Sequence, residues 1–280
     1  MRVTDEIKRL KKAAARLNAE ITATQTELDS TKITNEPICP FCGAKREVKN
    51  QFGGITFYES CICLEFKKAQ EKLLEVHSKQ SDMRTEYEFI LNQISRYENT
   101  AKKLLEKSNL GRRFKERTFE TFNAGIFPNA YRKARTYAEM FEENDGQGIM
   151  FIGSVGTGKT HLAAAITNYI ISEFAIPVRF ITAVELFGML RDFENNKNAI
   201  DEFKNIPLLA IDDLGKEKVT EWNREKLFEI VNHRYENYLP IVITTNGSPR
   251  ELEQILGEAV FSRLCEVCDG IRMEGKDHRR

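Results

Sequence analysis

Eight consecutive residues, 153–160, have types and spacing that could bind the phosphates of a nucleotide. Their sequence, Gly-Ser-Val-Gly-Thr-Gly-Lys-Thr, matches the P-loop pattern G-x-x-x-x-G-K-[ST]. Glycines let backbone N–H groups close around phosphate oxygens. Lys159 would reach the β- and γ-phosphates, and the Thr160 hydroxyl would hold Mg²⁺. The nucleotide-contacting residues are expected to be Gly153, Ser154, Val155, Gly156, Thr157, Gly158, Lys159, Thr160 and His161.

The segments on either side of the P-loop have the composition of a strand and a helix. Residues 148–152 are predicted to form a buried strand, and residues 161–166 are predicted to begin a helix whose positive dipole end faces the phosphates. This context favours a phosphate site over the alternative, an ordinary glycine-rich turn. His161 belongs to the site through its position at the helix start, although its ring is expected to be structural.

Two aspartates, Asp212 and Asp213, follow the apolar run at residues 208–211. Such a run ending in acid predicts a central parallel strand whose carboxyl end meets the nucleotide. Asp212 would hold the Mg²⁺ ion through water, and Asp213 would orient and polarise the attacking water. The alternative is a strand end whose carboxylates are simply solvated.

A third apolar run, residues 241–245, ends at Asn246. A strand beside the P-loop strand would place the Asn246 amide near the γ-phosphate, where it could orient water. Asn is otherwise a common turn residue, so the position alone is weak evidence.

Four cysteines, in the segments 39–43 and 61–63, have the spacing of a metal site. Cys39 and Cys42 belong to a C-P-x-C-G knuckle, and Cys61 and Cys63 form a C-x-C pair. Four converging thiolates predict a tetrahedral structural Zn²⁺ site. Unligated buried thiols or a redox pair are the alternatives. Between the pairs, residues 51–60 are predicted to form a short hairpin around Gly53 and Gly54.

The bulk composition limits the class of protein. The 280 residues include 42 basic and 42 acidic side chains. The formal net charge is therefore zero and gives no electrostatic argument for nucleic-acid binding. No apolar stretch approaches the length of a membrane span, and residues 1–12 are polar and charged. We therefore expect a cytoplasmic protein, whose six cysteines are ligands or buried thiols rather than disulfides.

Apolar residues recur at heptad spacing along residues 3–28 and again along residues 66–104. Both stretches are predicted to be long helices that pair as an antiparallel hairpin, and pairing between two chains is the alternative. We expect a partner-binding coiled-coil domain at residues 1–107, with the cysteines 39–63 at its tip. A basic linker is expected at residues 108–117.

Residues 118–280 are predicted to form an α/β domain. Strand candidates lie at residues 149–152, 178–181, 208–211, 241–244 and about 265–271, with helical stretches between them. The alternation predicts a five-stranded parallel sheet flanked by helices. Cys265 and Cys268 are expected on the last strand, as apolar-like residues.

The P-loop, the acidic strand and Asn246, in this order, resemble the Walker A, Walker B and sensor 1 motifs of AAA+ P-loop NTPases. Residues 212–215, 220–222, 227–235 and 243–246 narrow the resemblance to the DnaC/DnaI/IstB-like group. That group comprises bacterial and phage loaders of the replicative helicase and helper ATPases of transposition. The resemblance extends from about residue 114 to the end of the sequence.

The resemblance implies further site residues. Residues 117–122 match the stretch that helps to hold adenine. Arg263, within residues 261–264, matches an arginine finger that reaches the nucleotide of a neighbouring subunit; a surface helix cation is the alternative. Residues 275–279 resemble a terminal G-x-S-x-R, with Asp277 in place of Ser and Arg279 as the sensor 2-like arginine.

The resemblance also implies a function: ATP-dependent loading of a hexameric replicative helicase onto single-stranded DNA, with ATP, Mg²⁺ and Zn²⁺ as cofactors. The N-terminal domain would bind the helicase, and the AAA+ domain would self-assemble and act as a weak ATPase stimulated by assembly or DNA. A transposition helper ATPase that binds DNA and recruits a transposase is the first alternative. The second alternative is a non-catalytic scaffold in which ATP only stabilises the assembly.

Basic and aromatic residues occur together between the second and third predicted strands of the sheet. Such a mixture could neutralise and stack on single-stranded DNA, although an amphipathic helix explains it nearly as well. The residues are Phe187, Arg191, Phe193, Lys197, Phe203 and Lys204.

Overall fold

The computed structural model describes residues 2–30, 35–52, 55–215 and 219–278, without the side chains of residues 52, 193 and 194. These residues form two compact units: a hairpin unit, Asp5–Arg96, and a sheet unit, Tyr97–Arg280 together with Met1–Thr4. The predicted boundary at residue 107 is the end of a helix, whereas the compact units divide between Arg96 and Tyr97. The assignment of functions to separate domains stays a prediction.

The hairpin unit contains two long helices, α1 (Val3–Ser30) and α2 (Leu64–Lys107), and the sheet unit begins within α2. Leu10 and Ala14 of α1 pack against Ile90 and Ile94 of α2. Further along, Gln80 Nε2 donates a 3.0 Å hydrogen bond to Gln25 Oε1. The helices therefore run antiparallel within one chain, and the predicted heptad stripes form their common core.

A small two-stranded sheet lies between these helices in the sequence. Strand β1 (Val48–Phe52) pairs antiparallel with β2 (Ile55–Tyr58). The predicted hairpin at residues 51–60 is thus present, with a first strand that begins earlier than expected. Gly53 and Gly54, the predicted turn, lie outside the described residues.

The sheet unit is built on five parallel strands in the order β4-β5-β6-β3-β7. The P-loop strand β3 lies between β6 and β7, and β6 also pairs with β5. The carboxyl ends of β3, β6 and β5 are therefore neighbours at one edge. The strands are β3 (Gly148–Ile152), β4 (Val178–Thr182), β5 (Leu208–Leu214), β6 (Ile241–Thr245) and β7 (Cys268–Arg272).

Helices cover both faces of this sheet. Residues of β3 alternate between two cores, since Phe151 packs into one hydrophobic cluster and Met150 into the other. The first cluster includes α4 and α5, and the second includes α6, α8, α9 and α10. The helices of the unit are α3 (Arg112–Lys115), α4 (Pro128–Glu139), α5 (Lys159–Phe174), α6 (Ala183–Arg191), α7 (Phe193–Asn205), α8 (Glu221–Glu236), α9 (Pro249–Leu256) and α10 (Glu258–Val267).

This architecture confirms the predicted α/β fold class, a five-stranded parallel sheet flanked by helices and preceded by a helical hairpin. The prediction for the last strand was wrong at its start, because Cys265 lies in α10 and the strand begins at Cys268. Val260 and Leu264 are buried one helical turn apart, so helical spacing governs this stretch. Cys268 does lie on the strand, as expected.

Residues 108–117, predicted as a linker, pack into the sheet unit. Leu110 is 2% exposed, and the Ser108 carbonyl accepts a 2.7 Å hydrogen bond from the backbone N–H of Phe180. In the part of the chain that the structure describes, every helix is too short or too polar to cross a bilayer.

Candidate functional site

The P-loop connects β3 to α5 at the carboxyl edge of the sheet. Gly156 and Gly158 have φ angles of 79° and 94°, a backbone conformation that residues with a Cβ rarely adopt. The helix α5 begins at Lys159, directly after Gly158. The glycine spacing thus turns the chain sharply from strand to helix and leaves the helix N-terminus at the loop.

Lys159 lies inside the loop that precedes it. Its side chain is buried, and Nζ donates hydrogen bonds to the carbonyl oxygens of Gly153 at 2.8 Å and Ser154 at 2.7 Å. Thr157 Oγ1 also donates to the Ser154 carbonyl, at 2.9 Å. These bonds hold the loop in a ring around the lysine ammonium.

The two predicted magnesium ligands lie together. Asp212 is 7% exposed and accepts hydrogen bonds from the Thr160 hydroxyl and, at 2.6 Å, from Thr244 Oγ1. Burial raises the pKa of the Asp212 carboxyl, while these hydrogen bonds and the Lys159 charge oppose the rise. A hydroxyl and a carboxylate at hydrogen-bond distance are oxygen donors of the kind that Mg²⁺ uses, so these residues fit that ion.

Asp213 has the left-handed backbone conformation, with φ at 58°. Its backbone N–H donates to Thr244 Oγ1 at 2.8 Å, and its carboxylate accepts a hydrogen bond from Asn246 Nδ2. The pairing of β5 with β6 is irregular between Ile211 and Leu214, where this residue lies. A strained backbone at a non-glycine residue is a feature of functional sites. The structure therefore brings Asp213 and Asn246 together beside Asp212.

The stretch at residues 117–122 lies next to the P-loop. His161 Nε2 is 2.9 Å from the Thr118 carbonyl oxygen, and the His161 ring makes an edge-to-face contact with Phe122. A Cβ atom on Gly158 would lie 2.8 Å from the Phe122 ring, so that glycine also allows a close approach. Burial lowers the pKa of His161, which favours the neutral ring. The ring joins the stretch to α5, consistent with the structural role expected for it.

Arg263 lies on α10 against α8. Its guanidinium carbon is 4.9 Å from the centre of the Phe228 ring and 5.7 Å from that of Tyr235, and Nη1 donates to the Ala259 carbonyl at 3.0 Å. Aromatic faces attract a guanidinium and limit its movement. Arg279, the other predicted arginine of the site, lies outside the described residues.

The four predicted zinc ligands form one cluster. The Sγ atoms of Cys39, Cys42, Cys61 and Cys63 all lie within 4.8 Å of one another, and none of these cysteines is in a disulfide. Burial opposes ionisation of the Cys39 thiol, but backbone hydrogen bonds from Phe41 and Cys42 hold its pKa at about 7. Four converging thiols, one of them easily ionised, could hold a tetrahedral Zn²⁺ ion.

Two aromatic residues proposed for stacking on DNA are not available for it. Phe187 and Phe203 are 1% and 0% exposed and belong to the core beneath α6 and α7. The alternative of a plain amphipathic helix therefore explains them, and the side chain of Phe193 lies outside the described set. Lys204 forms an ion pair with Glu229. Arg191 and Lys197 are exposed.

Thr244 is the site residue that the sequence did not reveal. Its hydroxyl contacts both aspartates, yet a threonine within an apolar strand has the composition of an ordinary β-branched core residue. Its position two residues before Asn246 could have indicated this role, because side chains two residues apart in a strand point to the same face.

Comparison with known proteins gives a family match over most of the chain. The sequence model of IstB-like ATP binding proteins matches residues 65–280. The replicative helicase loader DnaC of Escherichia coli K12 is 33% identical over 141 residues, which are 49% of this chain and 57% of DnaC. The phage-like element PBSX protein XkdC of Bacillus subtilis 168 is 29% identical over 184 residues, 61% of this chain and 69% of XkdC.

A similar fold is found among solved structures. The crystal structure of the DnaC helicase loader superposes with a TM-score of 0.53 and 28% sequence identity, and the match covers 58% of this chain and 99% of that one. In the sequence comparison, the match covers 57% of DnaC, so this chain spans little more than half of the length of that relative. The family match contains every motif from the P-loop to Arg263.

Proposed function

Because the chain belongs to the family of IstB-like ATP binding proteins, as its motifs predicted, we propose that it is an ATP-dependent loader of the replicative DNA helicase. In this proposal the sheet unit binds and hydrolyses ATP and assembles with further copies. The hairpin unit binds the hexameric helicase. One observation carries the proposal: Thr160, Asp212, Asp213 and Asn246 meet at the P-loop edge of a sheet whose sequence is 33% identical to a helicase loader over the matched region.

The site residues divide the chemistry between them. The P-loop amides and Lys159 bind the phosphates, and Thr160 with Asp212 would hold Mg²⁺, which would neutralise charge on the phosphate oxygens. Asp213 accepts a hydrogen bond from the attacking water and orients it, and the Asn246 amide fixes the direction of the Asp213 carboxylate.

Arg263 acts on the site of a neighbouring copy. Its contacts within the described chain are with α8 and with its own helix, while Lys159, Asp212 and Asp213 form their own cluster. Two aromatic rings hold the guanidinium in place on α10. In this position it can stabilise charge on a γ-phosphate bound by the next subunit. ATP binding and self-assembly are then coupled.

The tip of the hairpin unit carries the partner contact. Several large apolar side chains of the segment 38–64, which contains the four cysteines, are exposed. Exposed apolar patches commonly mark interaction sites. A zinc ion held by the four cysteines would fix the loops that carry these side chains. The exposed residues are Ile38, Phe41, Val48, Ile55, Phe57, Ile62 and Leu64.

In this proposal the described side chains of this surface contact single-stranded DNA through charge. With Phe187 and Phe203 in the core, the exposed cations Arg191 and Lys197 remain on this surface. We therefore expect weak binding that weakens further as the salt concentration rises.

The second candidate function is that of a transposition helper ATPase that recruits a transposase. The IstB-like family match supports it. The cysteine-bearing hairpin favours the loader, because it supplies a separate partner-binding unit ahead of the ATPase.

Loading of helicase onto closed circular single-stranded DNA tests the proposal. The full chain, ATP and the replicative helicase of the host are mixed with the circle, and helicase bound to the circle is measured. Wild-type chain should increase it, and a chain with Ile62→Ser and Leu64→Ser at the tip should not. No increase with wild-type chain, together with capture of a transposase, would favour the helper ATPase.

A further inference from the structure

The last described residues lie across the P-loop. The Met273 backbone N–H donates a 2.7 Å hydrogen bond to the Ile152 carbonyl, and the His278 N–H donates to the Gly156 carbonyl at 3.1 Å. We name residues 273–278 the C-terminal strap. These two bonds fix both ends of the strap against the strand and the loop that begin the nucleotide site.

The contact between strap and loop is close. A Cβ atom on Gly153 would lie 2.2 Å from the Met273 carbonyl oxygen, and one on Gly156 would lie 1.9 Å from Asp277 Oδ1. The two P-loop glycines therefore leave room for the strap, in addition to their role in the loop itself. The Asp277 carboxyl group packs directly on the backbone of Gly156.

The outer end of the strap is held by a ring contact. The His278 ring lies 6.2 Å from that of Phe127 in an edge-to-face arrangement, and Gly275 also approaches Phe127. Phe127 lies immediately before α4. The backbone bond and the ring contact are both made by His278, so they hold the residue next to Asp277 against the loop and against Phe127.

An acidic residue at this point has an electrostatic consequence. Phosphate oxygens accept hydrogen bonds from the backbone N–H groups of a P-loop, and the Asp277 carboxylate lies against Gly156 of that loop. Two negative charges brought to the same loop would repel each other. The motif that residues 275–279 resemble has a serine at this position, so Asp277 adds a negative charge relative to that motif.

We propose that Asp277 sets the nucleotide affinity of the site, because its carboxylate, held on Gly156 by the strap, opposes the phosphates of the bound nucleotide. The inference rests on the proposed ATP binding and adds that a residue of the same chain lowers the affinity for the nucleotide.

Nucleotide titrations of the full chain test this inference. Asp277→Ser restores the residue of the resembled motif, Asp277→Asn keeps the shape without the charge, and Glu274→Gln removes an exposed charge elsewhere on the strap as a matched control. The dissociation constant of fluorescent ADP is measured in EDTA at low salt. Both Asp277 variants should bind about three- to tenfold more tightly, and the control should not change.

Repeating the titrations at high salt distinguishes an effect of the Asp277 charge from an effect of the side-chain shape. Asp277 is exposed, so the gain should shrink strongly at about 0.5 M salt, where the screening length falls below about 5 Å. An unchanged or weaker affinity in both Asp277 variants would overturn the inference. Weakening confined to Mg²⁺–ATP would instead make Asp277 a metal ligand and would also overturn it.

The outcome for the wild-type chain distinguishes the two proposals. Wild-type binding with no gain in the variants overturns this inference alone. Failure of wild-type chain and of all variants to bind ADP or ATP would overturn the proposed ATPase and this inference together.

Discussion

Thr244 Oγ1 donates a 2.6 Å hydrogen bond to Asp212 Oδ1, and so joins strand β6 to the carboxylate at the end of β5. The same hydroxyl oxygen accepts the backbone N–H of Asp213 at 2.8 Å. One buried hydroxyl thus fixes the positions of both aspartates relative to each other.

Replacement of Thr244 by valine should impair hydrolysis mainly at low pH. The methyl group fills the space of the hydroxyl but removes a hydrogen bond that stabilises the charged Asp212, so the pKa of that carboxyl rises further above its usual value. A hydrogen bond to a charged group is worth about 1.5–3 kcal/mol. The pH dependence of ATP turnover should show its acid limb at higher pH, and Thr244→Ser should restore it. Identical profiles for valine and wild type would contradict this role.

Asp212→Asn should stabilise the nucleotide-free fold while it abolishes turnover. Burial raises the pKa of Asp212 in the folded chain, so the folded state binds more protons than the unfolded state between the two pKa values. The stability that wild type has at low pH is therefore lost as the pH rises through the folded pKa. Thermal unfolding at a series of pH values should show a variant advantage above that pKa that disappears in acid. A wild type that is more stable than the variant at neutral pH would contradict this.

Lys159→Ala should abolish nucleotide binding. The ammonium is buried within the loop, and an alanine there leaves the phosphates without their cation. Equilibrium binding of fluorescent ATP measures the effect, with Lys197→Ala, an exposed lysine of α7, as the control. Retained binding in Lys159→Ala would remove this lysine from the role given to it.

The hairpin unit should contain about one zinc ion per chain. Cys42→Ser combined with Cys61→Ser removes two of the four thiols and should release the metal, whereas Cys265→Ser, on α10, should retain it. Elemental analysis of the purified chains measures the content. A zinc-free wild type whose tip resists proteolysis as well as zinc-treated protein would dismiss the metal site.

The sequence predicted the elements whose local structure is determined by the spacing of residue types along the chain. The glycines of the P-loop, the apolar runs before Asp212 and Asn246, and the heptads of the hairpin each determine a local structure. The four cysteines are brought together because their two short motifs lie at the same end of that hairpin.

Features that depend on tertiary contacts could not be predicted in this way. Phe187 and Phe203 occur beside lysines and arginines, and only the packing of α6 and α7 on the sheet shows that both rings are buried. The start of β7 was misplaced because an apolar stretch near a helix end fits either element. The strap depends on backbone bonds to Ile152 and Gly156, which no local pattern encodes.

The central claim is that Asp213 of one copy and Arg263 of the next complete a single site. Arg263→Ala should retain ATP binding and lose hydrolysis, and Asp213→Asn should behave in the same way, because each variant lacks one half of every site. The deciding measurement is the ATP turnover of an equimolar mixture of the two variants. We predict that turnover is partly restored at mixed interfaces, where one wild-type Asp213 meets one wild-type Arg263. Turnover of the mixture that stays at the level of the separate variants would contradict a site shared between subunits.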